Sequence, residues 1–221
     1  DLAAMGATPQ WALLALTLPE RDAVWVERFG SGFATLAKMS GVALVGGDTT
    51  RGPLTITVTA LGAVAPAAAL RRDGAQVGDR VCVAGVFGEA ALGLLAVQAQ
   101  RRDDPAFAHC IARLDRPEPQ LALGQALVGI ASACIDVSDG LVADLGHVAA
   151  ASGVGIRLDL DAVPHPPFDL GKALDLNARA VIDLALGGGD DYLLAFTMAA
   201  DRLPELRERV AALGLELHAI G

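Results

Sequence analysis

At 221 residues the chain is long enough for one large domain or two small ones. A formal net charge of −9, with no Lys/Arg stripe, disfavours a direct nucleic-acid surface. No uninterrupted apolar run approaches the ~18 residues of a membrane span, so the 53% of hydrophobic residues are expected to form the core of a soluble, cytoplasmic protein.

The chain opens at Asp1 without an initiator methionine or a signal peptide, and Asp1–Ala7 reads as the middle of a helix. The expectation is a fragment, or the ordered part of something longer. Trp11–Leu18 is a continuous apolar run and predicts a buried strand. Residues 20–40 carry a helical pattern, with Val24, Phe29, Phe33, Leu36 and Ala37 near one face and Gly41 as the stop. Strands are predicted over 42–45 and 54–64, the second with threonines alternating against Ile56, Val58 and Ala60 as in a half-buried strand. Between them lies a tight connection, Gly46-Gly47-Asp48-Thr49-Thr50-Arg51-Gly52-Pro53.

A composition shift near residue 66 marks a domain boundary, giving units of 1–66 and 67–221. A strand over 80–86 follows, then helices over 89–100, 104–114 and 119–130. A strand over 133–137 ends in Asp136-Val137-Ser138-Asp139-Gly140, and a helix starts at Leu141 and ends at Gly153. A strand is predicted over 155–160, an irregular proline-rich loop over 161–176, and a helix over 178–186 running into Gly187-Gly188-Gly189-Asp190-Asp191-Tyr192. Strand 193–197, helix 201–213 and strand 215–220 complete the pattern. Strands and helices alternate, so the class is α/β to α+β.

The chemistry sits at the turns. Asp and Thr oxygens are hard ligands of the kind Mg²⁺ takes, and glycine lets backbone approach a ligand closely. Asp139 or Ser138 could serve as a helix N-cap, but a cap needs one oxygen, and this turn offers three. Arg51 and Arg72 could clamp phosphate oxygens, whereas Arg71 reads as a surface charge. The four histidines show no ligand spacing, and the three cysteines, Cys82, Cys110 and Cys134, read as reduced buried thiols. No nucleophile-plus-base pair is visible. Phosphoryl transfer runs on positioning and charge neutralisation, and an acceptor that is already a phosphate, with a second pKa of ~6, needs no base.

Five segments carry a family resemblance: DLAAMGA at 1–7, LVGGDTTRGP at 44–53, RRDGAQVGD at 71–79, IDVSDGLVADLGH at 135–147 and ALGGGDDYLLAFT at 185–197. In order and spacing the chain resembles the thiamine-monophosphate kinases of the AIR synthetase-like superfamily. The resemblance implies a two-domain fold whose N-terminal domain is incomplete here and pairs with a dimer mate. It implies ATP-dependent phosphorylation of thiamine monophosphate by direct in-line transfer, with several Mg²⁺ ions and no catalytic side chain beyond positioning. By motif position, Asp1, Asp48, Asp136 and Asp139 would be metal ligands. Gly47, Asp48, Arg72 and Ser138 would bind ATP, and Asp190 would contact the substrate. The family pattern at the last segment is Gly-Gly-Glu-Asp-Tyr, and here the Glu is Asp190. The family segment preceding DLAAMGA, with further metal-binding acids, is not in these residues, and a protein of these residues alone is expected to be inactive or nearly so. Other superfamily members (AIR synthetase, selenophosphate synthetase, the hydrogenase-maturation dehydratase) and a non-catalytic Mg-nucleotide-binding protein are the alternatives.

Overall fold

A computed structural model describes residues 1–221. The first unit is a three-stranded sheet with one helix. Strand β1 (Thr8–Leu18) lies between β2 (Ala43–Arg51), to which it runs parallel, and β3 (Thr55–Ala63), to which it runs antiparallel. Helix α1 (Ala23–Met39) makes the crossover from β1 to β2. It begins where the Asp22 carboxylate accepts from the Trp25 N–H at 3.0 Å, and Lys38 sits in its last turn, at the negative end of the helix dipole. Leu14 and Leu16 share a crevice with Phe29, Phe33 and Ala37, so α1 covers that face of the sheet. The packed stripe starts at Trp25, whose ring stacks on Phe29 at 5.2 Å. Val24, placed on that stripe by the sequence pattern, is exposed, because a spacing of four from Phe29 reaches Trp25 instead.

The other face of this sheet is open. Trp11, Leu13 and Ala15 stand opposite Leu61, Thr59 and Thr57 there, and Trp11 is 48% exposed. The buried strand expected over Trp11–Leu18 is therefore buried at two positions, Ala12 and Leu16. β3 keeps its period of two, yet every residue from Thr55 to Ala63 is exposed, since one helix cannot cover three strands. β2 also runs further than expected. Residues 46–51 belong to the strand, and only Gly52–Leu54 form the connection, with the Gly52 N–H donating to Leu18 O at 3.0 Å. Ala12 pairs with Leu44 and Leu13 with Gly46, so Val45 is the extra residue of a bulge.

The second unit is an antiparallel sheet with helices on both faces. Its strands are β4 (Arg80–Ala84), β5 (Ala131–Val137), β6 (Leu193–Met198) and β7 (Leu217–Ala219), in the order β5-β6-β4-β7. Helices α2 (Glu89–Gln98), α3 (Ala108–Asp115), α4 (Leu121–Leu127), α5 (Leu141–Ser152), α6 (Phe168–Lys172), α7 (Ala178–Gly187) and α8 (Leu203–Ala211) surround it. The period-two alternation of the strands divides the core. Val81, Val83, Ile135, Val137, Leu193 and Ala195 face α5 and α7. Cys82, Ala84, Cys134, Leu194, Phe196 and Met198 face α4 and α8. All six residues of β6 are buried, as befits a central strand covered on both sides.

Three further expectations are corrected here. Residues 155–158 alternate in burial as a strand would, but they form no ladder, and the backbone next bonds where the Asp159 N–H meets Ile220 O at 2.7 Å. The 161–176 region contains a short helix, α6, started after Pro167. The 1–7 segment forms tight turns rather than a helix, and its Ala3 and Ala4 pack into the second unit's core with Leu123 and Leu127.

Candidate active site

The site is built from two turns of the second unit that meet. β5 ends at Val137 and α5 starts at Leu141, leaving Ser138–Gly140 as the turn. Gly140 (φ +122) occupies the cap position of α5, and a Cβ there would come 2.8 Å from Gly187 Cα, so only glycine lets the turn touch the end of α7. The buried Asp144, in the first turn of α5, folds back on the turn and accepts from the N–H groups of Ser138 (2.9 Å) and Asp139 (3.0 Å). Asp144 thus does the anchoring that a capping Asp139 would have done. The carboxylates of Asp136 and Asp139 accept no hydrogen bond from the chain and remain available to a ligand.

The second turn, Gly188–Tyr192, is stitched to the first. The Asp190 N–H donates to Ser138 O at 2.9 Å, and the Tyr192 N–H donates to Val137 O at 2.8 Å. The Tyr192 hydroxyl donates to Asp190 Oδ1 at 3.1 Å. Burial pushes the Tyr192 phenol above its ordinary value, the Asp190 contact pushes it further, and the charges of Asp136 and Asp139 add to both. Three carboxylates therefore surround one phenol. Behind them Asp191 is buried, and its carboxylate accepts from the Gly88 N–H at 3.0 and 2.9 Å.

Asp1 reaches this group because the 1–7 turn docks on the second unit, where Gln125 Nε2 donates to Gly6 O at 2.6 Å. The backbone nitrogen of Asp1 lies 3.8 Å from Asp136 Oδ2. Asp1 and Asp136 line two clefts. One, of about 690 Å³, is walled by Phe29, Phe33, Pro119 and Tyr192. The other, of about 440 Å³, includes Arg72. Arg71 is held by Asp73, whereas the Arg72 guanidinium has no partner in the chain, and its backbone is fixed by Ser152 Oγ donating to Arg72 O at 3.2 Å. Ser138 is half-buried between the turns.

Asp48 and Gly47 are not brought into this group. Asp48 lies opposite Ala15 on the open face of the first sheet, and its carboxylate accepts only from the Thr49 N–H. Neither Asp48 nor Gly47 lines either cleft. Gly47 (φ +151) has room for hydrogen only, because a Cβ would overlap Leu14 O. Its close approach is to the neighbouring strand. Arg51, likewise on β2, lines neither cleft.

No three His, Cys, Asp or Glu side chains stand close enough to enclose a metal ion by themselves. The donor set nevertheless fits Mg²⁺, which takes one or two protein carboxylates and completes its shell with water and substrate phosphates. None of the four histidines lines either cleft. The thiols are buried, with Cys82 and Cys134 pushed up to about 12 and Cys110 to about 11, so none is a ready nucleophile. The sequence reading missed Asp144, Asp191 and Tyr192. Asp144 had a weak signal, an acid in the first turn of a helix that follows an acidic turn. Asp191 had none, because its partner is 103 residues away.

The chain matches two family models, "AIR synthase related protein, N-terminal domain" over residues 1–64 and "AIR synthase related protein, C-terminal domain" over residues 76–221. It is 43% identical to the thiamine-monophosphate kinase of Salmonella typhimurium, covering all of this chain and 68% of that one. The crystal structure of thiamine-monophosphate kinase from Stenotrophomonas maltophilia superposes with a TM-score of 0.93 at 46% identity, covering all of this chain and 71% of that one. A structure of AaThiL complexed with AMPPCP and TMP superposes with a TM-score of 0.88 at 32% identity, over all of this chain and 69% of that one. No helix is long and apolar enough to cross a membrane. The chain belongs to the AIR synthase related family, among its thiamine-monophosphate kinases.

Proposed function

We propose that the full-length protein to which these residues belong phosphorylates thiamine monophosphate to thiamine diphosphate with ATP, by direct in-line transfer. The observation that carries the reading is the junction of the two turns, where Asp136, Asp139 and Asp190 gather with none of the first two committed to a helix cap. Asp1, Asp48, Asp136 and Asp139 would hold Mg²⁺, which neutralises phosphate oxygens and lets two anions approach. The unpaired Arg72 grips ATP phosphate oxygens as a planar two-pronged donor. The half-buried Ser138 hydroxyl donates to the same anion, and Gly47 and Asp48 bind ATP from the first sheet. Asp190, steadied by Tyr192, orients the thiamine end. The acceptor phosphate is largely dianionic near neutral pH, so the chain's lack of a histidine base at the clefts is consistent with the reaction.

We divide the chain at residue 66 into the latter part of an N-terminal domain and an α+β C-terminal domain. The open apolar face of the first sheet, with Trp11, Leu13 and Leu61, supports a homodimer through that face. Three free, buried thiols support a reducing, cytoplasmic setting. The test is ADP release by the full-length protein, with thiamine monophosphate set against other phosphate acceptors at varied Mg²⁺. Thiamine diphosphate as the product, and strict dependence on both Mg²⁺ and that acceptor, are expected. ADP release that ignores the acceptor, or prefers a different one, defeats the proposal.

A further inference from the structure

The Gly188–Tyr192 turn holds two non-glycine residues in the left-handed region, Asp190 at φ +58 and Tyr192 at φ +50. Such a conformation is uncommon for a non-glycine residue and persists where the surroundings over-determine it. The two backbone bonds to Ser138 O and Val137 O fix the turn from one side. The other side is fixed by the residue between them. Asp191 is 5% exposed, and both its carboxylate oxygens accept from the Gly88 N–H. Gly88 is the cap residue of α2, a ten-residue helix with no side-chain cap of its own. The first N–H groups of a helix need acceptors and sit at its positive end, so a carboxylate delivered from elsewhere in the chain is held firmly there. Glu89 on α2 and Arg113 on α3 are the charged groups that face it, and His109 is engaged with Glu89.

We propose that Asp191 is a positioning residue for the substrate end of the site: by capping α2 across the fold, it locks the left-handed turn that sets Asp190 and Tyr192 against Ser138 and Val137. Asp191 touches no substrate in this role and acts through its two neighbours. The kinetic part of the proposal rests on the assignment of Asp190 to the thiamine-monophosphate contact.

Tyr192 is the only tyrosine in the chain, which supplies a reporter independent of activity. With tyrosine labelled at Cζ in the full-length protein, the Tyr192 resonance is assigned by its loss in Tyr192→Phe, and its titration reads the burial of that phenol together with the Asp190 contact. In Asp191→Ala the Tyr192 titration is expected to fall toward the ordinary phenol value of about 10. The KM for thiamine monophosphate is expected to rise about tenfold, the size of one lost charged contact, while the KM for ATP moves less than about twofold. Asp191→Asn, which retains one acceptor for Gly88, should lie between Asp191→Ala and the parent protein. An Asp191→Ala protein that melts cooperatively yet keeps the parent Tyr192 titration overturns the proposal. If Asp191→Ala does not fold, Asp191→Asn decides, and an unshifted titration there overturns it equally. Asp190→Asn separates the two claims. Should it leave the KM for thiamine monophosphate unchanged, the substrate assignment of Asp190 fails, while the Tyr192 titration still judges Asp191.

Discussion

The two sheets of this protein are written in similar residues and end in opposite environments. β1 carries an apolar run over Trp11–Leu16 as β6 does over Leu193–Phe196, yet β1 is buried only at Ala12 and Leu16 while β6 is buried throughout. The difference is the number of covering layers. The second sheet has helices on both faces, so each strand contributes alternate side chains to two cores. The first sheet has a single helix on one face. Hydrophobic content alone therefore predicts that a surface will be covered, but not by which part of which molecule.

That contrast can be tested by truncating equivalent side chains. Phe196→Ala removes a fully buried ring from the second core and should destabilise the protein by roughly 3–5 kcal/mol in urea unfolding. Trp11→Ala on the open face should cost less than about 1 kcal/mol at low protein concentration. If the open face binds a second copy, the Trp11→Ala cost should grow with protein concentration, because association stabilises only the folded chain.

A second contrast lies between the acids of the two units. Asp136→Asn, at the meeting of the turns, should lower thiamine diphosphate formation by ~100-fold or more, the scale of losing a preorganised electrostatic contact, with little change in melting temperature. Asp48→Asn should do likewise if the first sheet reaches the same anions. Near-normal rates for Asp48→Asn at limiting Mg²⁺ would confine the site to the second unit. Stability needs separate measurement, since removing one of several like charges can stabilise a fold.

The third test concerns pH. Burial raises Asp191 to about 6, against the opposing pull of the Gly88 and Ala90 N–H groups. Between its unfolded value of ~3.9 and about 6, the folded state binds the proton more tightly than the unfolded state, so this group's stabilising contribution is present in acid and is lost as pH rises through 6. Asp191→Asn does not titrate. Its stability relative to the parent protein should rise across that window, by an amount on the order of 3 kcal/mol at most. A pH-independent difference would mean that Asp191 does not titrate there. The smallest pair is Arg72→Ala against Arg71→Ala. The first should raise the KM for ATP about tenfold, as for one lost charge-assisted contact, and the second should leave it unchanged.

Much of the fold was legible in the chain because local pattern and burial agree in the second unit. The helical pattern over 20–40, the helix between Leu141 and Gly153 and the apolar run of β6 were all readable, with helix starts placed within a few residues. The reading failed where the partner is remote. Residues 46–51 looked like a glycine-rich loop because glycine breaks strands as a rule, but Gly47 is the residue that lets β2 lie against Leu14. Residues 155–160 alternate like a strand and find no neighbour to pair with.

The sequence by itself determined which residues are candidates for the chemistry. Asp139, Asp190 and Arg72 stand between helices and strands and Asp136 near the end of β5, and residue type and motif alone single them out. Only the tertiary structure decided how those residues are held. Asp144 bonded back to the first turn, Asp191 bonded to the Gly88 N–H at the start of α2, and Asp1 delivered by a turn docked on the second core are all long-range or buried arrangements. A backbone N–H donates to whichever carboxylate the fold brings to it, and neither spacing nor composition records which one arrives.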